Sequence, residues 1–179
     1  EKTNAVGLGA REYEVQKTPR ATGGLKGDHE LYLGEGQRIW GSGNVNSGLT
    51  LLSGAILDMA HPGNGLTFTN SKDYPPNTHG LTLDGGAIVR FAYHDDGVTS
   101  APTLPTQLTL RGTNVIQVVS TDDQPAPRGV VFQANESMTI EEGAAFVGEG
   151  ARNATRVVVD ASAKTVSLET SLGTTVIFR

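Results

Sequence analysis

Along this chain, apolar and small or polar residues alternate in short triplets. Each triplet leads within two or three residues to glycine or another small turn residue, and a second apolar stretch follows. The phrase is clearest as Gly48-Leu-Thr-Leu-Leu-Ser-Gly-Ala-Ile-Leu-Asp-Met59, as Gly80-Leu-Thr-Leu-Asp-Gly-Gly-Ala-Ile-Val-Arg-Phe91 and as Gln107-Leu-Thr-Leu-Arg-Gly-Thr-Asn-Val-Ile-Gln-Val118. Weaker copies start at Glu30 and Ser137, with a loose one at Thr165. A unit this short cannot bury its apolar face alone, so its repetition predicts stacking on neighbours rather than a globule.

Side chains alternate along a strand with a period of two, so the outer residues of each triplet face one way and the middle residue the other. The pattern therefore predicts an inner column of Leu49, Leu51, Leu81, Leu83, Leu108 and Leu110. It also predicts an outward polar column of Thr50, Thr67, Thr82, Thr109 and Thr139. Glycines Gly54, Gly86, Gly112 and Gly143 follow the triplets at nearly one offset, where the backbone has to turn a corner and glycine adopts positive φ at no steric cost. The triplets begin at Leu31, Leu49, Leu81, Leu108, Met138 and Val166. Most are separated by roughly thirty residues, about one coil of three short strands. Additional triplets at Leu66-Thr-Phe68, Val130-Val-Phe132 and Val157-Val-Val159 supply the third strand of a coil. No window carries sustained helical periodicity, so helix content is expected to be low.

The fold class expected is all-β, a right-handed parallel β-helix of about five coils, with a β-sandwich as the alternative. Residues 1–29 mix charges with Pro19 and Gly23-Gly24 and are expected to form an arm, a cap or a first irregular coil, in which Tyr13 and Val15 suit an edge strand. Residues 30–179 form the β-helical domain, read as a processed or excised piece of a longer stack. Its longest irregular segments, Asn70 to His79, Asp95 to Thr106 and Thr121 to Arg128, read as insertions of the kind that carry binding.

Phrases such as GLTLLSGAILDM and GLTLDGGAIVRF resemble the coils of autotransporter passenger domains and the wider pectate-lyase-like family of right-handed β-helices. The resemblance spans residues 30–179 and lies in composition and repeat. It implies secretion by a Gram-negative bacterium, with the stack displayed at the cell surface or outside the cell.

Composition narrows the partners. Glycine supplies 23 of 179 residues and aromatics only 6%, which favours tight turns around a thin aliphatic core. A formal charge of -5 leaves no evident phosphate-neutralising surface, so nucleic acid is not expected as a partner. No apolar run is long enough to span a bilayer, so no membrane insertion is expected of this segment. The absence of cysteine excludes disulfides and thiolate metal sites.

The candidate binding residues are Tyr74, Tyr93, His94, Asp95, Asp96, Asp122 and Asp123. His94-Asp95-Asp96 is the densest polar cluster, and with Asp122-Asp123 in the next coil it offers oxygen ligands of the kind calcium takes, although solvated loop aspartates are the simpler reading. Tyr74 and Tyr93 belong to adjacent coils and are suited to stacking on sugar rings, whereas Trp40 and Phe91 are expected to fill corners of the core. The histidines His29, His61, His79 and His94 match no metal-ligand spacing. The resemblance implies that pectate-lyase-like enzymes of this kind use several acidic calcium ligands and a basic residue in one groove, and their hydrolytic counterparts clustered aspartates. Here Asp58, Asp84, Arg90 and Arg111 lie on or beside neighbouring coils, and a cross-coil ion pair of Asp84 with Arg111 explains those two equally well. Asn135-Glu-Ser137 and Asn153-Ala-Thr155 fit the N-glycosylation acceptor pattern, which a bacterial origin would leave idle.

The function expected from these residues is rigid display or adhesion, with a glycan or host surface protein as ligand. The alternatives are a polysaccharide-active enzyme and a carbohydrate-binding β-sandwich. No catalytic residue, no cofactor and no metal site is assigned, calcium being the one cation considered.

Overall fold

The computed structural model describes residues 12–15, 24–25, 31–45, 48–60, 66–68, 80–94, 97–99, 103–104, 107–120, 129–149 and 155–170. These residues form strands, turns and bends, with no helix among them. In chain order the strands are β1 (Glu12–Val15), β2 (Gly24–Leu25), β3 (Leu31–Leu33), β4 (Arg38–Gly41), β5 (Asn44–Val45), β6 (Leu49–Leu51), β7 (Ile56–Asp58), β8 (Thr67–Phe68), β9 (Gly80–Asp84) and β10 (Ile88–His94). They continue as β11 (Gly97–Thr99), β12 (Thr103–Leu104), β13 (Gln107–Arg111), β14 (Thr113–Ser120), β15 (Gly129–Ala134), β16 (Ser137–Ile140), β17 (Ala145–Glu149), β18 (Thr155–Asp160) and β19 (Thr165–Thr170).

Strands three positions apart in sequence, or four where β11 intervenes, pair in parallel. The triplets form one sheet in the order β3-β6-β9-β13-β16, and the second apolar stretches form another, β1-β4-β7-β10-β14-β17. A third face begins as β2-β5-β8 and is taken up by β12-β15-β19-β18, with β12 lying beside β8. The chain thus visits three faces in turn and returns to each one strand further along. Parallel neighbours cannot be joined by a two-residue hairpin, and here each crossover is made by the strands of the other two faces. An antiparallel β-sandwich does not describe these sheets.

Register agrees with the phrase residue by residue. Leu31 pairs with Leu49, Leu49 with Leu81, Leu81 with Leu108 and Leu108 with Met138. Leu33, Leu49, Leu51, Leu81, Leu83, Leu108 and Leu110 are all buried, joined in the core by Ile39, Leu57, Val89, Phe91, Ile116 and Phe132 from the other faces. Phe91 and Phe132 meet edge to face with ring centroids 5.6 Å apart, tying the second sheet to the third face. Asn114 is fully buried at a corner, where its Oδ1 accepts from the Ala87 amide at 3.2 Å and its Nδ2 donates to the Arg111 carbonyl at 2.9 Å. Both halves of the buried amide are thereby satisfied. At the equivalent corner of the preceding rung Gly86 has φ 76°, and a Cβ placed there would lie 2.5 Å from Ser53 Oγ, so close stacking of corners as well as backbone conformation requires glycine.

Three expectations are corrected. Thr50, Thr82, Thr109 and Thr139 share one column, but Thr67 lies in β8 on the third face, aligned with Asn44. Thr50 is also only 3% exposed rather than outward and wet. The Thr165 phrase does not continue the triplet column, because β19 pairs antiparallel with β15 and β18, placing Val166 opposite Phe132 and Val159. Trp40 does not fill the core: Ile39 and Gly41 on either side of it are buried, and alternation turns Trp40 to the outer face, with the Arg38 guanidinium 5.8 Å from its ring centroid. Phe91 is in the core as expected.

Candidate functional site

Of the candidate binding residues, Tyr93 and His94 fall on described backbone, at the end of β10. There β11 folds back antiparallel on the edge of β10, with Ala92 opposite Thr99, Tyr93 opposite Val98 and His94 opposite Gly97. β10 and β11 are therefore the two arms of a β-hairpin. On its other edge Tyr93 pairs with Ser120, the last residue of β14. Ser120 thus lies at the same end of the second sheet as the hairpin. Tyr74, Asp95, Asp96, Asp122 and Asp123 themselves lie outside the described residues.

The most elaborate side-chain arrangement is a ladder on the outer face of the second sheet. Asp58, only 3% exposed, accepts at Oδ2 from Arg38 Nη2 at 2.6 Å and from Arg90 Nη1 at 3.5 Å, and at Oδ1 from the Ala60 amide at 2.9 Å. Arg90 Nε donates in turn to Gln117 Oε1 at 2.6 Å. Parallel register produces this row directly, since Asp58 pairs with Arg90 and Arg90 with Gln117, and neighbouring strands lie only about 4.8 Å apart. The ladder cross-braces β4, β7, β10 and β14. A carboxylate whose oxygens both accept from donors in the protein is suited to bracing rather than to taking a proton from substrate.

A second ionic group lies at the corner after the triplets. Arg111 Nη1 stands 3.8 Å from Asp84 Oδ1, the expected cross-coil pair, and Arg111 Nε donates to Glu141 Oε1 at 2.7 Å in the rung beyond. All three side chains are well exposed, so the group contributes on the order of 1 kcal/mol or less. Asp58, on β7 of the second sheet, pairs with Arg38 and Arg90, and Asp84, at the end of β9 in the triplet sheet, pairs with Arg111, so the two aspartates sit on different parts of the stack with separate partners.

Arg38 and Gln117 were not among the candidates, although the repeat held the signal for Gln117. Aligning the three clearest phrases puts Asp58, Arg90 and Gln117 at one position, just after the buried Leu57, Val89 and Ile116. One-per-rung polar residues at a common offset have to be neighbours in a parallel stack. Arg38 lies two residues before that position and reaches Asp58 only through the length of its side chain.

Among the described residues no group of three or more histidine or acidic side chains could hold a metal ion, and no helix is long and apolar enough to cross a membrane. No family model, no curated protein and no solved structure matches the chain.

Proposed function

We propose that this chain is a segment of an exported bacterial surface protein, an autotransporter-like β-helix that holds a binding or adhesive region away from the cell. The observation that carries the reading is the column Leu31, Leu49, Leu81, Leu108, Met138, which runs without a break through five parallel strands. A continuous backbone ladder of this kind resists bending, and the Arg38–Asp58–Arg90–Gln117 ladder braces its outer face. The right-handed sense follows from general chain behaviour, since a strand, crossover and parallel strand in the same sheet turn right-handed in about 98% of cases.

On this reading the contacts are made by insertions rather than by the stack. Tyr93 and His94 at the β10–β11 hairpin, with Tyr74, Asp95, Asp96, Asp122 and Asp123, engage a glycan or host surface protein, and calcium is the cation those aspartate oxygens suit. The enzymatic alternative requires acidic residues converging on one groove. The separate positions of Asp58 and Asp84 and the occupied oxygens of Asp58 favour display.

The test is incubation with a panel of glycans and proteins, scoring both retention and cleavage. Retention without cleavage, weakened by Tyr93→Ala or Asp95→Ala, is the expected result. Bond cleavage that disappears in Asp84→Asn or Asp95→Asn would replace display with polysaccharide or protein turnover.

A further inference from the structure

Two faces of the stack continue from rung to rung where the third does not. β16 pairs in parallel with β13 and β17 with β14, so the strand that follows them in sequence, β18, is due beside β15. Instead β19 lies between β15 and β18, antiparallel to both. β15 and β18 therefore run in the same direction, as successive strands of a parallel stack do, but with another strand wedged between them. Neighbouring strands lie about 4.8 Å apart, so β15 and β18 stand about 9.6 Å apart where one rung spans half of that.

Across the wedge the residues stay in line. Val130 is opposite Ser167 and Ser167 opposite Val158, while Phe132 is opposite Val166 and Val166 opposite Val159. Val157 and Val159 pack against the core, so β18 already turns its apolar side inward, as β15 does with Phe132. Its alternation does not have to change for it to pair with β15 directly.

β19 in turn fits a second place. Thr165-Val-Ser-Leu168 repeats Ser137-Met-Thr-Ile140 of β16 and Gln107-Leu-Thr-Leu110 of β13 position for position. As the next triplet of the chain it would run parallel to β16, with Val166 opposite Met138, Ser167 opposite Thr139 and Leu168 opposite Ile140. Val166 and Leu168 face inward there, as they do in the wedge, where both are buried. Alternation is the same in either direction, so burial does not choose between the two places.

What holds β19 in the wedge is the short turn before it. Asp160 Oδ1 accepts from the Ala163 amide at 2.9 Å, Lys164 takes φ 56°, and Lys164 Nζ donates to the Asn135 carbonyl at 2.7 Å. Positive φ is uncommon for a residue other than glycine, and Asp160, Ala163 and Asn135 are all exposed. Few contacts, open to water, mark an element that opens locally at low cost.

We infer that β19 is a switch strand with two sites. In one it is wedged between β15 and β18. In the other it lies parallel on β16 as the next triplet of the inner column, and β18 closes onto β15. The first site interrupts the parallel ladder of the third face and the second makes all three faces continuous, so exchange changes the length over which the rod is unbroken. Two packings of one sequence that bury the same side chains are the setting for such a transition. The inference concerns the internal state of the stack and does not depend on what the insertions bind.

The chain has no cysteine, so introduced pairs report strand neighbours without competition from native thiols. In the triple variant Val130→Cys, Thr139→Cys, Ser167→Cys, the thiol at position 167 chooses between its wedge neighbour at 130 and its triplet neighbour at 139. Glu136 lies between those two positions, so digestion at glutamate separates the bridges for mass spectrometry. Val130→Cys with Val158→Cys bridges only after β19 has left, because a disulfide requires Cα atoms within about 7 Å. After equilibration in glutathione buffer both intrachain bridges of the triple variant are expected, the one to position 130 in excess. Proline is locked at negative φ, so adding Lys164→Pro is expected to raise the ratio of the bridge at 139 to that at 130 roughly tenfold or more, and to raise the bridge between 130 and 158 with it. Asp160→Ala, which removes the acceptor of the Ala163 amide, is expected to shift the ratio the same way by a smaller factor, and it carries the test if the proline variant loses the parent circular dichroism. An exclusive bridge to position 130 in parent and turn variants alike overturns the inference, as does a bridge to position 139 found only between chains.

Discussion

The parallel stack and the hairpin that follows it bury aliphatic side chains of the same kind, yet they are specified in different ways. In the stack, from β3 to β17, every strand of the triplet sheet and, apart from β11, of the second sheet meets a partner one full circuit away, so pairing requires that the same phrase recur. In β18 and β19 the partners are adjacent in sequence, and the turn between them is set locally. The Asp160 carboxylate accepts from the Ala163 amide at 2.9 Å, and Lys164 takes up a left-handed backbone conformation. β19 also enters between β15 and β18, running against β15 with an irregularity between Val130 and Phe132. Reversal of direction interrupts the parallel stack on the third face without interrupting burial, since Val166 and Leu168 remain in the core. Burial alone thus does not select parallel pairing; the repeat does.

The sharpest way to break this comparison is to cut the same inner column at two places. Leu83, Leu110 and Ile140 are successive register partners, but Leu83 is fully buried and Ile140 is on the last rung. Leu83→Ala is expected to cost about 3 kcal/mol, within the range for large-to-small core changes, and Ile140→Ala about 1 kcal/mol or less. Urea midpoints measure both, and equal losses would mean that the end rung is covered as well as the middle one.

Asp58→Ala is the next largest effect. It leaves the Arg38 and Arg90 guanidiniums facing each other and removes the acceptor of the Ala60 amide. The expected loss is about 2 kcal/mol, below the several kcal/mol of a fully buried pair because both arginines reach water. A double-mutant cycle with Arg38→Ala isolates the coupling, and additive losses would show that the ladder is not a brace.

The smallest effect belongs to the hairpin. Lys164→Asn keeps a residue tolerant of the left-handed conformation while removing the ammonium bridge to the Asn135 carbonyl. Hydrogen exchange is expected to quicken at Val166 and Leu168 with no change at Leu81 and Leu83, for a loss of about 1 kcal/mol. Uniform quickening would show that hairpin and stack open as one unit.

Much of the fold was legible because its stabilising columns are periodic. The alignment of Leu49, Leu81 and Leu108, the corner glycines and the Asp84–Arg111 pair all follow from placing like phrases side by side. The candidate site was less legible. Placement of His94 in a hairpin depends on β11, which no repeat announces, and the depth of Asp58 depends on an arginine from an earlier strand. Val166 was misplaced because Val-Ser-Leu obeys the alternation of a triplet, and alternation carries no information about strand direction.

The sequence by itself determined which side chains face inward, where the chain turns and which residues recur at equal offsets, because these depend on local backbone geometry and the two-residue period of a strand. Only the tertiary structure decided which strands pair, that the third face ends antiparallel, and that Arg38, Asp58, Arg90 and Gln117 meet. Those outcomes depend on contacts between residues far apart in the chain, where pairing partners compete and the best-buried arrangement wins.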